Sequence, residues 1–181
     1  MKRLAFISLI FLLLMYTTYG KEQKSGNTLA PETLKERVPL KKLEGNKVSE
    51  MAIESFAADF GNVPDVKWQR SGTFDEAIFK KDGKEMIANY DIGGKLVGTT
   101  KVVTLAEVPA SGQNEIKKRY KDYSAATVIF YEDNEVNDTD MIMYGIQFDD
   151  ADNYFVELAK GNDKIVVKVD LNGEVTFFKQ M

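Results

Sequence analysis

Residues 56–68, FAADFGNVPDVKW, hold a helix end, a corner and the start of a strand. Phe56 and Phe60 close an apolar series begun by Val48, Met51 and Ala52, whose three- and four-residue steps place them on one helix face. Asn46 and Ser49 are both good N-cap types, and Glu50 suits the positive end of the helix dipole. Gly61 fits the left-handed position just past a helix, and Pro64 stops the helix from resuming. Val66 and Trp68 then alternate with Lys67 and Gln69, the pattern of a strand with one apolar face. Trp68, the only tryptophan, is expected to pack on Phe56 and Phe60 as core rather than to serve as a ligand platform.

Downstream, strands are expected at 66–70, 73–80, 85–90 and 95–105. Lys81-Asp82-Gly83-Lys84 and Asp91-Ile92-Gly93-Gly94 supply the tight turns that make neighbours antiparallel. Pro109 and Gly112 break this pattern. A second helix capped by Ser111 follows, with Ile116, Tyr120 and Tyr123 as a modest apolar stripe. Lys117, Lys118, Arg119 and Lys121 cover its other sides as a solvated face. Further strands are expected at 125–131, 141–149, 153–158, 164–169 and 174–178. The acidic run EDNEVNDTD, 132–140, is expected to be an exposed loop.

Shifted by 60 positions, Phe56 falls on Ile116, Phe60 on Tyr120 and Trp68 on Val128. Shifted by 79, Asp91–Leu96 falls on Asp170–Val175. The pattern predicts an α+β fold, a tandem repeat of a helix followed by an antiparallel β-meander, with the helices packed on one face of the sheet. The units run over 46–108 and 109–181.

The runs AIESFAADFGNVPDVKW and FDEAIFKKDGKEMIANYDIGGKLVGT resemble the PepSY-like, β-lactamase-inhibitor-protein-like family of exported bacterial proteins. The resemblance rests on a helix ending in an aromatic, a proline corner, a V-x-W strand (Val66, Trp68) and a Y-D-x-x-G hairpin (Tyr90, Asp91, Gly94). The family's proline directly after the helix aromatic is here displaced to Pro64. The resemblance implies a helix-plus-antiparallel-sheet protein in the periplasm or outside the cell. It implies a binding or inhibitory module with no catalytic residues to carry over, and no particular β-lactamase as partner.

The N-terminus has the form of a secretion signal over 1–20: Lys2 and Arg3, an apolar run over 4–16, then Thr18 and Gly20 at a small-residue cleavage site. The run is short for a membrane span, so no stable membrane insertion is expected after cleavage, although a retained anchor is the alternative. Residues 21–45 read as a polar tether, and the localisation implied is periplasmic or secreted. The leader removes two cations and no acid from a chain of net charge −4, leaving about −6. That balance disfavours nucleic acid. With no cysteine and no histidine, the chain excludes disulfides, Cys/His zinc sites, cysteine nucleophiles and Ser-His-Asp triads. Asp138 and Asp140, or Asp149, Asp150 and Asp152, lack the spacing of a calcium loop, and no metal or cofactor is expected.

One pattern points to a surface. In 141–149, Ile142, Tyr144, Ile146 and Phe148 share one parity, assigned to the core. Met141 and Met143 share the other, together with Ile129, Tyr131, Phe155, Val166 and Phe178 on neighbouring strands. A sheet apolar on both faces either packs on something else in the chain or binds a partner. These seven residues are therefore the candidate partner-binding face of a non-catalytic module for an unknown protein. Two alternatives remain: a structural envelope protein that self-associates as a homo-oligomer, and a carboxylate- or lysine-based hydrolase without a recognisable motif.

Overall fold

Eight strands hydrogen-bond into one antiparallel sheet in the order β1-β2-β3-β4-β5-β8-β9-β10. The computed structural model describes residues 39–181. The signal at 1–20 and most of the tether lie outside the described residues. In chain order the elements are α1 (Glu50–Phe60), β1 (Lys67–Arg70), β2 (Asp75–Lys81), β3 (Lys84–Tyr90), β4 (Leu96–Val103), a 3-10 turn (Leu105–Glu107) and α2 (Ala110–Arg119). There follow β5 (Ser124–Asp133), β6 (Met141–Met143), β7 (Ile146–Phe148), β8 (Asn153–Lys160), β9 (Asp163–Asp170) and β10 (Val175–Gln180).

The tandem helix-plus-meander arrangement is not what forms. Two findings overturn it. First, β4 pairs with β5 over six residue positions, from Gly98↔Asp133 to Val103↔Val128, so one sheet runs unbroken where two units were expected to meet. Second, the segment 141–149 is not a strand of that sheet. It turns back at Tyr144-Gly145 into the hairpin β6–β7, which pairs only with itself, and β5 pairs directly with β8 instead. The molecule is a mainly β structure in which two α-helices, among the described residues, cover parts of one large sheet.

Local chemistry explains the helix ends. The Ser49 hydroxyl accepts the Met51 N–H at 3.2 Å, and the Gly61 N–H closes the far end on the Ala57 carbonyl. Buried Asp75 adds a second tie, accepting the Ser49 N–H at 2.9 Å and Arg70 Nε at 2.7 Å. This hydrogen bond to Asp75 holds the Arg70 guanidinium above its ordinary pKa. Arg70 also donates to the Glu44 carbonyl, and the Leu43 N–H to the Gly72 carbonyl, so the described end of the tether is fastened to the β1–β2 turn. Helix α2 departs from expectation at its start: its N-cap is Pro109, and Ser111 instead donates its hydroxyl proton to the Asn172 carbonyl.

Following the register across the sheet shows that both helices sit on the same face. Ala52 and Phe56 of α1 pack on Ala77, Phe79, Ala88 and Tyr90. Phe56 meets Phe79 and Trp68 edge to face, so Trp68 is part of this core. Ile116 of α2 packs on Val128, Val156, Val167 and Val169. Met51, expected on the buried stripe, is 52% exposed, and its backbone sits close over Gly94 of the β3–β4 turn.

Candidate partner-binding face

The opposite, helix-free face has two parts. Over β5, β8, β9 and β10 it is covered by the hairpin β6–β7. Over β1–β3 and the Val102 end of β4 no helix or strand among the described residues lies on it; the Val97 end of β4 belongs to the covered part.

Under the hairpin, Phe74, Val97, Tyr131, Met141, Phe148, Phe155 and Val166 form one buried cluster. Ile129, Ile142, Met143, Tyr144 and Phe178 pack around it, with Leu40 from the tether. Phe148 stacks edge-on against Tyr131 and Phe155, with ring centroids 5.1 and 4.9 Å apart. All seven residues singled out from the sequence therefore gather in one place. Tyr131, Met141, Phe155 and Val166 are buried there, while Ile129, Met143 and Phe178 are half-buried at its margin. The parity assignment was incomplete, however. Because a two-residue turn separates the strands, Met141 stands directly opposite Phe148, and both point into the cluster. What covers this part of the face is the chain itself.

Polar groups at the root of the hairpin are satisfied. The Tyr131 hydroxyl donates to Asp133 Oδ1 at 2.7 Å and lies 3.2 Å from the Val97 carbonyl. Its ring rests on Gly98, where an added Cβ would come within 2.6 Å of it. Burial, with the bond to Asp133 second, pushes the Tyr131 hydroxyl well above its ordinary pKa. Burial also raises the Asp133 carboxyl, reinforced by Asp150, Glu135 and Asp152 and opposed by the Tyr131 bond. The acidic loop after β5 is less exposed than its composition suggests. Asn137 is buried, and its amide donates to the Leu96 carbonyl at 3.0 Å and to Asp91 at 3.2 Å. The signal was present in the two asparagines, whose side chains commonly bond backbone in turns.

On the bare part, the register brings together four aliphatic side chains that no periodicity argument had linked. Ile78 lies opposite Ile87, and Val102 opposite Ile129. Val102 is 63% exposed and the other three are half-buried. Lys67, Gln69, Glu76, Lys80 and Glu85 fall on the same parity and surround them. Ile129 pairs with Phe155, so the bare floor runs directly into the covered cluster. Alternation within single strands does not reveal this patch beyond Ile129, because it forms only when the register sets Ile78 against Ile87 and Val102 against Ile129.

An open depression of about 340 Å³ between α1 and the acidic loop is lined by Ser55, Asp59, Lys95, Leu96, Asn134, Val136 and Asn137. The Tyr90 hydroxyl, pushed up by burial, donates to Asp59 at its edge. Among the described residues no group of three or more acids is arranged to hold a metal ion.

No family model and no curated protein matches the chain. Solved structures do. A BLIP-like protein from Bacteroides fragilis is 16% identical, with TM-score 0.58, covering 75% of this chain and 87% of its own. A DUF2874-family protein from Bacteroides uniformis is 14% identical, with TM-score 0.61 and coverages of 74% and 90%. A protein from Bacteroides eggerthii, provisionally described as periplasmic, is 16% identical, with TM-score 0.59 and coverages of 75% and 88%. The fold is thus BLIP-like, which supports that part of the sequence resemblance; the PepSY-like part rests on motifs alone. No described helix is long and apolar enough to cross a membrane.

Proposed function

We propose that this protein is an exported, non-catalytic module that binds another protein through the helix-free face of its sheet. The observation that carries the reading is the bare floor over β1–β3 and the Val102 end of β4, where Ile78, Ile87, Val102 and Ile129 form an aliphatic centre ringed by lysines and glutamates. An apolar centre with a polar rim is the anatomy of a recognition surface. Ile129 borders it beside the hairpin, and the buried members of the seven-residue set lie on the same face of the sheet, under the hairpin. The BLIP-like fold favours binding over catalysis, and the leader sequence, with a periplasmic description for one fold neighbour, favours action outside the cytoplasm.

Placing a photo-crosslinking amino acid at Val102, and separately at Lys117 on the helix side, tests this in cells exporting the protein. Val102 is expected to give a discrete protein adduct that Lys117 does not give and that Ile87→Glu abolishes. No adduct at Val102, or the same adducts from both positions, would sink the reading. An adduct of twice the chain's mass would identify a second copy and make the face a self-association surface.

A further inference from the structure

The hairpin β6–β7 is attached in an unusual way. Its two three-residue strands pair with each other and with no strand of the large sheet. It is held by side chains: Met141 and Phe148 reach down into the cluster, and contacts at the tip reach across to β8 and β10. There the Tyr144 hydroxyl donates to Glu157 Oε1 at 2.9 Å, its ring lies 6.4 Å from that of Phe155, and Lys179 Nζ donates to the Tyr144 carbonyl.

Tyr144 also sits where a tyrosine does not belong. Its φ is 52° and that of Gly145 is 76°, the left-handed pair that such hairpin turns ordinarily fill with Asn-Gly or Gly-Gly. A bulky residue there strains the backbone. The turn therefore carries a residue suited to reaching Glu157 rather than to turning. At the root, Asp138, Asp140, Asp149, Asp150 and Asp152 fall on the two connecting segments. Asp140 accepts from Gln147 within the hairpin and Asp152 accepts the Asp133 N–H, while like charges on the two segments repel one another.

We propose that hairpin β6–β7 is a strap, latched at its tip by Tyr144, that lifts from the sheet and extends the bare aliphatic floor into the aromatic cluster of Tyr131, Phe155 and Phe178. This rests on the reading of that face as the binding surface. In the closed state the chain occupies half of its own recognition face, so a partner needing the whole face must displace the strap.

The absence of cysteine makes the test clean. Val166 and Val167 are adjacent and fully buried, Val166 under the hairpin and Val167 under α2. Val166→Cys and Val167→Cys each introduce one thiol with little change of volume, and labelling by a small disulfide reagent under native conditions reports the opening above each. The thiol at 166 is expected to react at least tenfold faster than that at 167. Adding Tyr144→Phe, which removes only the hydroxyl bond, is expected to accelerate the thiol at 166 roughly fivefold, the loss of one hydrogen bond, and to leave 167 unchanged. Equal rates at the two positions, moving together on Tyr144→Phe, would overturn the strap. A faster rate at 166 that ignores Tyr144→Phe would overturn the latch. Because labelling needs no partner, a failed crosslink at Val102 with a rapidly labelled 166 would reject the binding surface and keep the moving hairpin.

Discussion

Ile87 and Phe155 both point away from the helices, yet one lies half-buried on an open floor and the other is fully enclosed beneath a hairpin. The helix side treats both ends of the sheet alike. Ala52 and Phe56 seal one end, Gly112 and Ile116 the other, and each helix starts above an Asp-x-x-Gly turn. Those turns share their hydrogen bonds. Asp91 Oδ1 accepts the N–H groups of Gly93 and Lys95, as Asp170 Oδ1 accepts those of Asn172 and Glu174. The reverse side is where the ends part. One end keeps a small aliphatic patch with a charged rim, uncovered among the described residues, while the other carries rings enclosed beneath the hairpin. The difference teaches that the second end is closed as a three-layer core and the first is left as a two-layer one.

If that is so, the same kind of truncation on the same face should cost very different amounts. Phe155→Ala should lose about 3–5 kcal/mol, because it removes a ring from the centre of the enclosed cluster and leaves a cavity. Val102→Ser, on the bare end, should stay within about 0.5 kcal/mol of the parent. Denaturant unfolding measures both. Equal losses would mean that the bare floor is covered by something not seen among the described residues.

A smaller effect probes the side on which the ends are alike. An added Cβ at Gly94 would lie 2.6 Å from Met51 Cβ and 2.9 Å from its backbone carbon. At Gly173 it would lie 2.7 Å from the Gly112 nitrogen, and both glycines have positive φ. Gly94→Ala and Gly173→Ala should each cost about 2–4 kcal/mol, from left-handed strain plus the clash under the helix. Gly161, also at positive φ but in open space, should lose only the strain, about 1 kcal/mol. If Gly94→Ala were as mild as Gly161→Ala, the close seat of α1 on its turn would be wrong.

The helix-side architecture was largely legible because its signals are local. Gly61 and Pro64 end α1, and Asp82-Gly83 marks a turn by residue type alone. What escaped reading is non-local or atypical. The pairing of β4 with β5 joins segments separated by a whole helix, so nothing in either strand announces that one sheet continues. The hairpin turn is Tyr144-Gly145, without the Asn or Asp that would have flagged it, and 141–149 therefore looked like one strand. That single missed turn inverted the relation of Met141 to Phe148. The seven candidate residues were still found together, because alternation within each flanking strand was read correctly. Their cover could not be found, since it came from the very segment counted among them.

The smallest expected effect concerns the seam where the acidic connections meet the covered end. Burial raises the Asp133 carboxyl above its ordinary pKa, and Asp150, Glu135 and Asp152 add to the shift. A carboxyl so raised binds its proton more tightly in the folded state than in the unfolded one. Its contribution therefore favours the fold below the ordinary carboxylate range and is lost as pH climbs through the raised value. Asp133→Asn removes this loss while its amide oxygen still accepts the Tyr131 hydroxyl. The variant should match the parent in acid and exceed it slightly at neutral pH, seen as a small rise in Tm there and none in acid. Val102→Ser at the bare end should leave that pH profile unchanged. Thermal unfolding from pH 3 to 8 separates the two. If Asp133→Asn were less stable at neutral pH, the Asp133 carboxylate would be holding the hairpin root in place by its charge, and the repulsion assigned to that root would be absent.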